Sequence, residues 1–173
     1  MKTLIVYSSK TGFTEKYAKW IAEEIPCTCL PLQEAENLDI KEYDTILFGG
    51  GFYAGKINGI NWLQKRIPDL TGKKAALFCT GASPEDSPEI PQAIDQNLSK
   101  EQQKIITPFY LQGGINYEKM TWKDKALMAV FRKILKTKKD KTPQEQAMET
   151  GIAASFDATN RQKLTPLFNW LNQ

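Results

Sequence analysis

The 173-residue chain contains no histidine. That absence excludes Ser-His-Asp and Cys-His nucleophilic chemistry, every histidine-containing zinc site and the commonest general base of enzymes. Cysteine is scarce as well, with Cys27, Cys29 and Cys79 making an odd set. Three thiolates do not complete an all-cysteine tetrahedral zinc site, so no metal site is expected. Cys27 and Cys29 are next-but-one neighbours in an extended run and form a poor disulfide pair, which fits a reducing cytoplasm. Long apolar runs are missing too: the longest, residues 126–131, holds six residues, against the roughly 20 that cross a bilayer. The first residues lead directly into a strand pattern rather than an export signal. With 41% hydrophobic and 25% charged residues, the length suits one domain, residues 1–173, around one sizeable core. If such a chain is an enzyme, a bound cofactor supplies its chemistry.

What is present is a regular alternation. Short apolar or alternating segments occur at residues 3–7, 27–32, 45–48, 75–80 and 105–111, separated by stretches with helical spacing. Strands alternating with helices imply a parallel sheet covered on both faces. In the first helix Tyr17, Ile21 and Ile25 recur every fourth residue, Ala18 and Ala22 widen the stripe, and Glu15, Lys19 and Glu23 face water. A last helix is expected over 160–171, with Pro166 forcing a bend or a later start.

Three segments directly after strands carry the functional signal. The first is Ser9-Lys10-Thr11-Gly12-Phe13-Thr14. A loop between the end of a strand and the start of a helix presents free backbone N–H groups and the positive end of the helix dipole, and so favours an anion. Ser9, Thr11 and Thr14 add hydroxyl donors, and Gly12 permits a positive φ or a close approach. The plain alternative is a turn in which Thr14 is only a helix N-cap. The loop is neither a P-loop nor a dinucleotide glycine fingerprint. The second and third segments are FGGGFYAGKING, residues 48–59, and FCTGASPED, residues 78–86. Gly49, Gly50, Gly51 and Gly55 would admit a flat ligand close to the backbone, and Phe52 or Tyr53 could stack on it. All three loops leave the same sheet edge, where open α/β folds bind ligands.

These residues resemble the flavodoxin family, which carries Thr/Ser-x-Thr-Gly-x-Thr after its first strand. The resemblance implies a flavodoxin-like, doubly wound α/β fold with five parallel strands in the order 2-1-3-4-5. It implies that residues 9–14 bind the phosphate of FMN. It also implies that the loops after strands three and four, with Gly51, Phe52, Tyr53, Ala54 and Gly55 in one and Thr80, Gly81, Ala82, Ser83 and Pro84 in the other, bracket the isoalloxazine ring. A receiver domain of related topology needs acidic residues after strand one, where Tyr7-Ser8-Ser9-Lys10 stands.

The resemblance leaves out residues from about 115 to 150, a helical insertion between the fifth strand and the last helix. Residues 117–141 hold nine Lys or Arg against three Asp or Glu, while the whole chain is only +3. Met120, Leu127, Val130, Phe131, Ile134 and Leu135 fall largely on one helical face among Lys123, Arg132, Lys133, Lys136 and Lys139. Such a helix lies on an anionic membrane, covers the crevice, or packs its apolar face on the domain. No aromatic interleaving or docking motif points to nucleic acid. An insertion at this place is similar to the flavodoxin-like menaquinone-dependent protoporphyrinogen oxidases and their flavodoxin-domain relatives. That likeness implies a redox substrate, a quinone acceptor and peripheral contact at the inner face of a membrane.

The expectation is therefore an FMN-dependent oxidoreductase whose flavin does the redox step. The alternatives are a non-catalytic electron carrier with the same FMN, or an interaction module of the same fold without cofactor. No side chain is assigned as catalytic base, although Tyr53, Lys56 and Asp86 lie in the loops. Cys79, closing an apolar strand, reads as a core thiol.

Overall fold

The computed structural model describes residues 2–173, the side chain of Gln144 excepted. In chain order the elements are β1 (Thr3–Ser8), α1 (Phe13–Glu24), β2 (Cys27–Pro31), α2 (Leu32–Ala35), β3 (Thr45–Tyr53), β4 (Lys56–Ile57), α3 (Ile60–Gln64) and β5 (Lys74–Gly81). There follow α4 (Glu89–Asn97), α5 (Lys100–Gln103), β6 (Thr107–Gln112), β7 (Gly114–Ile115), α6 (Trp122–Thr137), α7 (Pro143–Gly151), β8 (Phe156–Asp157) and α8 (Thr165–Leu171). Five strands pair in parallel in the order β2-β1-β3-β5-β6, which is the expected 2-1-3-4-5 once the short hairpin strand β4 is set aside.

Alternation along the strands divides the core in two. Leu4 and Val6, Ile46 and Phe48, and Leu77 and Cys79 face one side, where Trp62, Leu63 and Leu98 cover them. Ile5, Leu47, Ala76 and Phe78 face the other, under Tyr17, Ala18 and Ile21 of α1 and Leu167 and Leu171 of α8. Side chains of period two on a sheet buried on both faces produce these near-continuous apolar strands. Register then levels the strand ends: Ser8 lies opposite Gly50, Gly51 opposite Thr80, and Thr80 opposite Leu111. All the loops that follow leave one edge.

Several boundaries differ from the sequence reading, each for a local reason. β2 stops at Pro31 because Leu32 opens a helical turn. β6 starts at Thr107 because the amides of Ile105 and Ile106 both donate back to the Gln102 carbonyl at the end of α5. β3 does not end at Phe48 but runs through three glycines to Tyr53. Partners on both sides hold it extended despite the weak strand preference of glycine. The last helix starts later than residue 160: a 3-10 turn, Arg161–Leu164, precedes α8, and Pro166 sits in the first turn, where its missing N–H costs nothing.

The insertion spans the residues between β7 and β8, which pair antiparallel as its stem, Gly114 opposite Asp157 and Ile115 opposite Phe156. Thr121 caps α6 by accepting from the Asp124 amide, and Thr142 with Glu145 forms a capping box ahead of α7, with Pro143 at its start. The helices are joined by Lys138–Glu145 at 2.6 Å and Lys141–Glu149 at 2.7 Å. Their own core is small: Ile115, Leu135 and Ile152, with Met120, Met128 and Met148 against them.

Candidate functional site

Three loops meet at the carboxyl edge of the sheet. Gly12 caps α1 in the left-handed region at φ 98°, a conformation that suits glycine, and its amide donates to Ser9 Oγ at 3.1 Å. The first intrahelical bond runs from the Lys16 amide to the Gly12 carbonyl. The amides ahead of it therefore have no intrahelical partner and face the loop. Thr14 is not the N-cap. Its side chain is buried, and its hydroxyl shares a 2.7 Å hydrogen bond with that of Thr80 at the end of β5. Gly51 of β3 completes the group, since a side chain there would begin 3.4 Å from Thr14 Oγ1 and 3.6 Å from Thr80 Oγ1. Residues far apart in the chain thus present hydroxyls and bare backbone at one spot.

Around this spot opens a cleft of about 460 Å³, within the range of small-molecule sites. Of the residues singled out from the sequence, Lys10, Thr11, Phe13, Thr14, Gly51, Phe52, Tyr53, Ala54, Thr80, Gly81, Ala82 and Ser83 line it. Ser9 and Gly12 shape the loop behind it, Gly55 has open space at the hairpin tip, and Pro84 lines a smaller neighbouring hollow. Two of the four glycines expected to admit a flat ligand serve packing instead. A side chain at Gly49 would begin within the Phe78 ring, and one at Gly50 would collide with Ile57 and the Asn58 carbonyl. Lys56 and Asp86 are exposed and outside the cleft. Cys79 is fully buried, its thiol donates to the Phe109 carbonyl, and burial pushes its pKa up to about 12, which leaves it an inert core thiol.

The hairpin after β3 turns through Ala54 at φ 48° and Gly55 at φ 79°, the double positive φ of a tight two-residue turn. It holds Tyr53 at the cleft, while Phe52 tilts against Tyr110, ring centroids 6.3 Å apart. Lys10 Nζ lies 3.5 Å from the centre of the Tyr53 ring and 3.8 Å from Asp124 Oδ1. The Tyr53 phenol donates to the Asp124 carboxylate. That hydrogen bond, helped by Thr121 and Lys10, holds the carboxyl below its usual range, and it raises the phenol. The loop after β1, the hairpin and the insertion are latched at one place.

The insertion supplies much of the cleft wall that the sequence did not reveal. Met120, Asp124, Leu127, Met128 and Phe131 line it from α6 and its approach, Met148 and Ile152 from α7 and its end, Gly114 and Ile115 from β7, and Asn58 and Gly113 from the loops. Lys119 Nζ stands where a Gly12 side chain would begin, 3.0 Å away. No local pattern marks Asp124, because its partners Tyr53 and Lys10 lie in distant loops of the sequence and meet it only through the fold. The capping box Thr142-x-x-Glu145 was a signal for α7.

A strand order of 2-1-3-4-5 with a hydroxyl-rich loop after β1 and two further loops at the same edge defines a flavodoxin-like α/β protein. The chain belongs to the flavodoxin domain family, whose model matches residues 4–142. It is similar to the uncharacterized protein MJ0298 of Methanocaldococcus jannaschii, 32% identical over 118 residues, 68% of this chain and 79% of that one. It is also similar to a flavodoxin of Clostridium saccharobutylicum, 35% identical over 95 residues, which span 48% of this chain and 58% of the relative. Among solved structures, oxidised flavodoxin 1 of Bacillus cereus superposes with a TM-score of 0.46 at 17% identity, covering 80% of this chain and 99% of the other. Among the described residues no cluster suited to a metal ion occurs, and no helix is long and apolar enough to cross a membrane.

Proposed function

We propose that this chain binds FMN in the cleft and moves electrons between a reduced substrate and a quinone-type acceptor, in the manner of the menaquinone-dependent protoporphyrinogen oxidases. The observation that carries the reading is the meeting of Thr14, Thr80 and Gly51 beside the open first turn of α1. The donor set fits the cofactor: amides and hydroxyls for a phosphate, and a phenol, small loop residues and apolar side chains for a ring. Bound flavin would supply the hydride or electron chemistry that this histidine-free chain lacks. The chain's own residues bind and orient. Residues 9–14 take the phosphate, Tyr53 and Ala54 lie on one side of the ring, Thr80 to Pro84 on the other, and the methionines of the insertion keep water away. Peripheral contact with the inner face of a membrane through 117–141 belongs to the same proposal, because a lipid-soluble acceptor is met there.

Absorbance of the purified protein near the flavin bands is the first test, followed by titration with FMN and with riboflavin. Thr11→Ala with Thr14→Ala weakens FMN by about 1.5–3 kcal/mol for each hydrogen bond lost to the charged phosphate and leaves riboflavin nearly unchanged. Equal losses for both ligands remove the phosphate assignment. A wild-type protein that is colourless and binds neither ligand removes the flavin reading altogether. Turnover with a quinone, rather than reduction without turnover, separates the enzyme from an electron carrier.

A further inference from the structure

The insertion leans on the loop after β1. At the start of its stem, side chains at Gly113 and Gly114 would begin 3.0 Å from Phe13 Cβ and 3.0 Å from Phe13 Cζ. Beyond the stem the turn at 116–120 is tied down, the Lys119 amide donating to Asn116 Oδ1 at 3.1 Å and the Tyr117 amide to Ser155 Oγ at 2.9 Å. From this turn the Lys119 side chain lies along Gly12. Its Cδ, Cε and Nζ are 3.9, 4.0 and 3.0 Å from the place where a Gly12 side chain would begin. Glycine at 12 thus serves twice, taking the positive φ that opens α1 and leaving room for the ammonium.

Charge around the head of α1 is balanced pair by pair, except at Lys119. Lys10 is 3.8 Å from Asp124, Lys16 is 2.7 Å from Asp157, and Lys19 is 2.6 Å from Glu15. Among the described residues Lys119 has no carboxylate within 4.0 Å. Lys10, the cation that the sequence places inside the loop, is also turned to the Tyr53 ring at 3.5 Å. What remains is an uncompensated ammonium beside a loop whose amides have no intrahelical partner. Both favour an anion, and the ammonium adds the net charge that amides and hydroxyls lack.

We propose that Lys119 is the charged contact of the cofactor's phosphate, reaching residues 9–14 from the insertion, so that the phosphate holds insertion and loop together. The inference rests on the flavin reading and adds to it a contact from outside the loop motif. A residue of the insertion thereby favours the phosphorylated flavin over riboflavin, and the insertion closes more firmly over the loop when the phosphate is there.

The dissociation constants of FMN and of riboflavin, measured on the full chain, test this. Lys119→Gln weakens FMN about tenfold, the lower end for a hydrogen bond to a charged group because Lys119 is exposed to solvent. It changes riboflavin by less than about twofold, as for other surface replacements. Lys119→Arg keeps FMN within about threefold of wild type, since a guanidinium also binds phosphate. Lys125→Gln, which removes an exposed charge from the same insertion, leaves both ligands unchanged. In the wild type the preference for FMN over riboflavin shrinks as salt is raised, more steeply than in Lys119→Gln. Protection of the amides of residues 116–128 rises when FMN is added to the wild type, but not with riboflavin and not in Lys119→Gln. FMN affinity equal to wild type in Lys119→Gln overturns the proposal and leaves the loop as the whole phosphate site. Equal losses of FMN and riboflavin overturn it too, because Lys119 would then act only by placing the insertion. A wild type that binds neither ligand removes the flavin reading, and the role of Lys119 with it.

Discussion

The sheet and the insertion treat the same kind of residue in opposite ways. Phe48, Leu77 and Phe78 in the sheet have no exposed surface, while Val130 and Ile134 on α6 are more than half exposed. Each sheet face is closed by helices of its own chain, and the sequence of a buried strand is fully explained by what covers it. The insertion has three residues at its buried centre, while Trp122, Leu127, Val130, Phe131 and Ile134 stay exposed. Its composition is explained only in part by the packing within the described residues.

That contrast breaks first on truncation. Phe78→Ala should cost about 3–5 kcal/mol of stability in urea unfolding, because the ring fills the space that the bare Gly49 leaves for it and no neighbour can follow it in. Phe131→Ala should change stability by no more than about 0.5 kcal/mol, as for an exposed side chain. Similar losses at the two positions would mean that α6 is core and not surface.

A smaller effect sharpens the comparison at the seam between loops. Thr14→Val or Thr80→Val alone leaves a buried hydroxyl without its partner and should cost about 1–3 kcal/mol. The double replacement should cost less than the sum, since no polar group is then stranded. Strict additivity would show that the hydroxyls do not hold the loops together.

The smallest effect belongs to the latch that joins the two regions. The Asp124 carboxyl sits below its ordinary range through the Tyr53 hydrogen bond, so its contribution is complete above about pH 4, the unfolded value, and is lost as pH falls through the lowered one. The Tyr53 phenol is raised by the same bond, so its contribution is complete below about pH 10 and is lost as pH rises through the raised value. Protection of the amides of residues 117–128, relative to their exchange rate in an unstructured chain at the same pH, should accordingly be greatest between those limits, and Asp124→Asn should flatten the acid side. An unchanged acid limb in that variant would mean that another group holds the insertion.

Local pattern explains which parts of this architecture could be read in advance. Ser9 to Thr14 stood out because the loop's chemistry is contiguous, and the parallel sheet because apolar runs recur at regular intervals. Gly49 and Gly50 misled because glycine marks close approach without saying of what, and here the visitors are Phe78, Ile57 and the Asn58 carbonyl. Asp124 was hidden because Tyr53 and Lys10 meet it only through the fold. The split face of α6 was hidden for a further reason: helical periodicity identifies which residues share a side, not whether anything lies against that side.

The Thr14–Thr80 hydrogen bond has one consequence of its own. Two hydroxyls share it, and either oxygen can be the donor. Whichever one accepts keeps its own proton pointing elsewhere, so the bond has a sense of direction, and reversing it moves a free O–H between the first turn of α1 and the end of β5. Heavy atoms need not shift for this reversal. An acceptor resting against either threonine sets the direction for both, which makes the seam between two strand ends a rotor that carries polarity across the cleft without carrying motion.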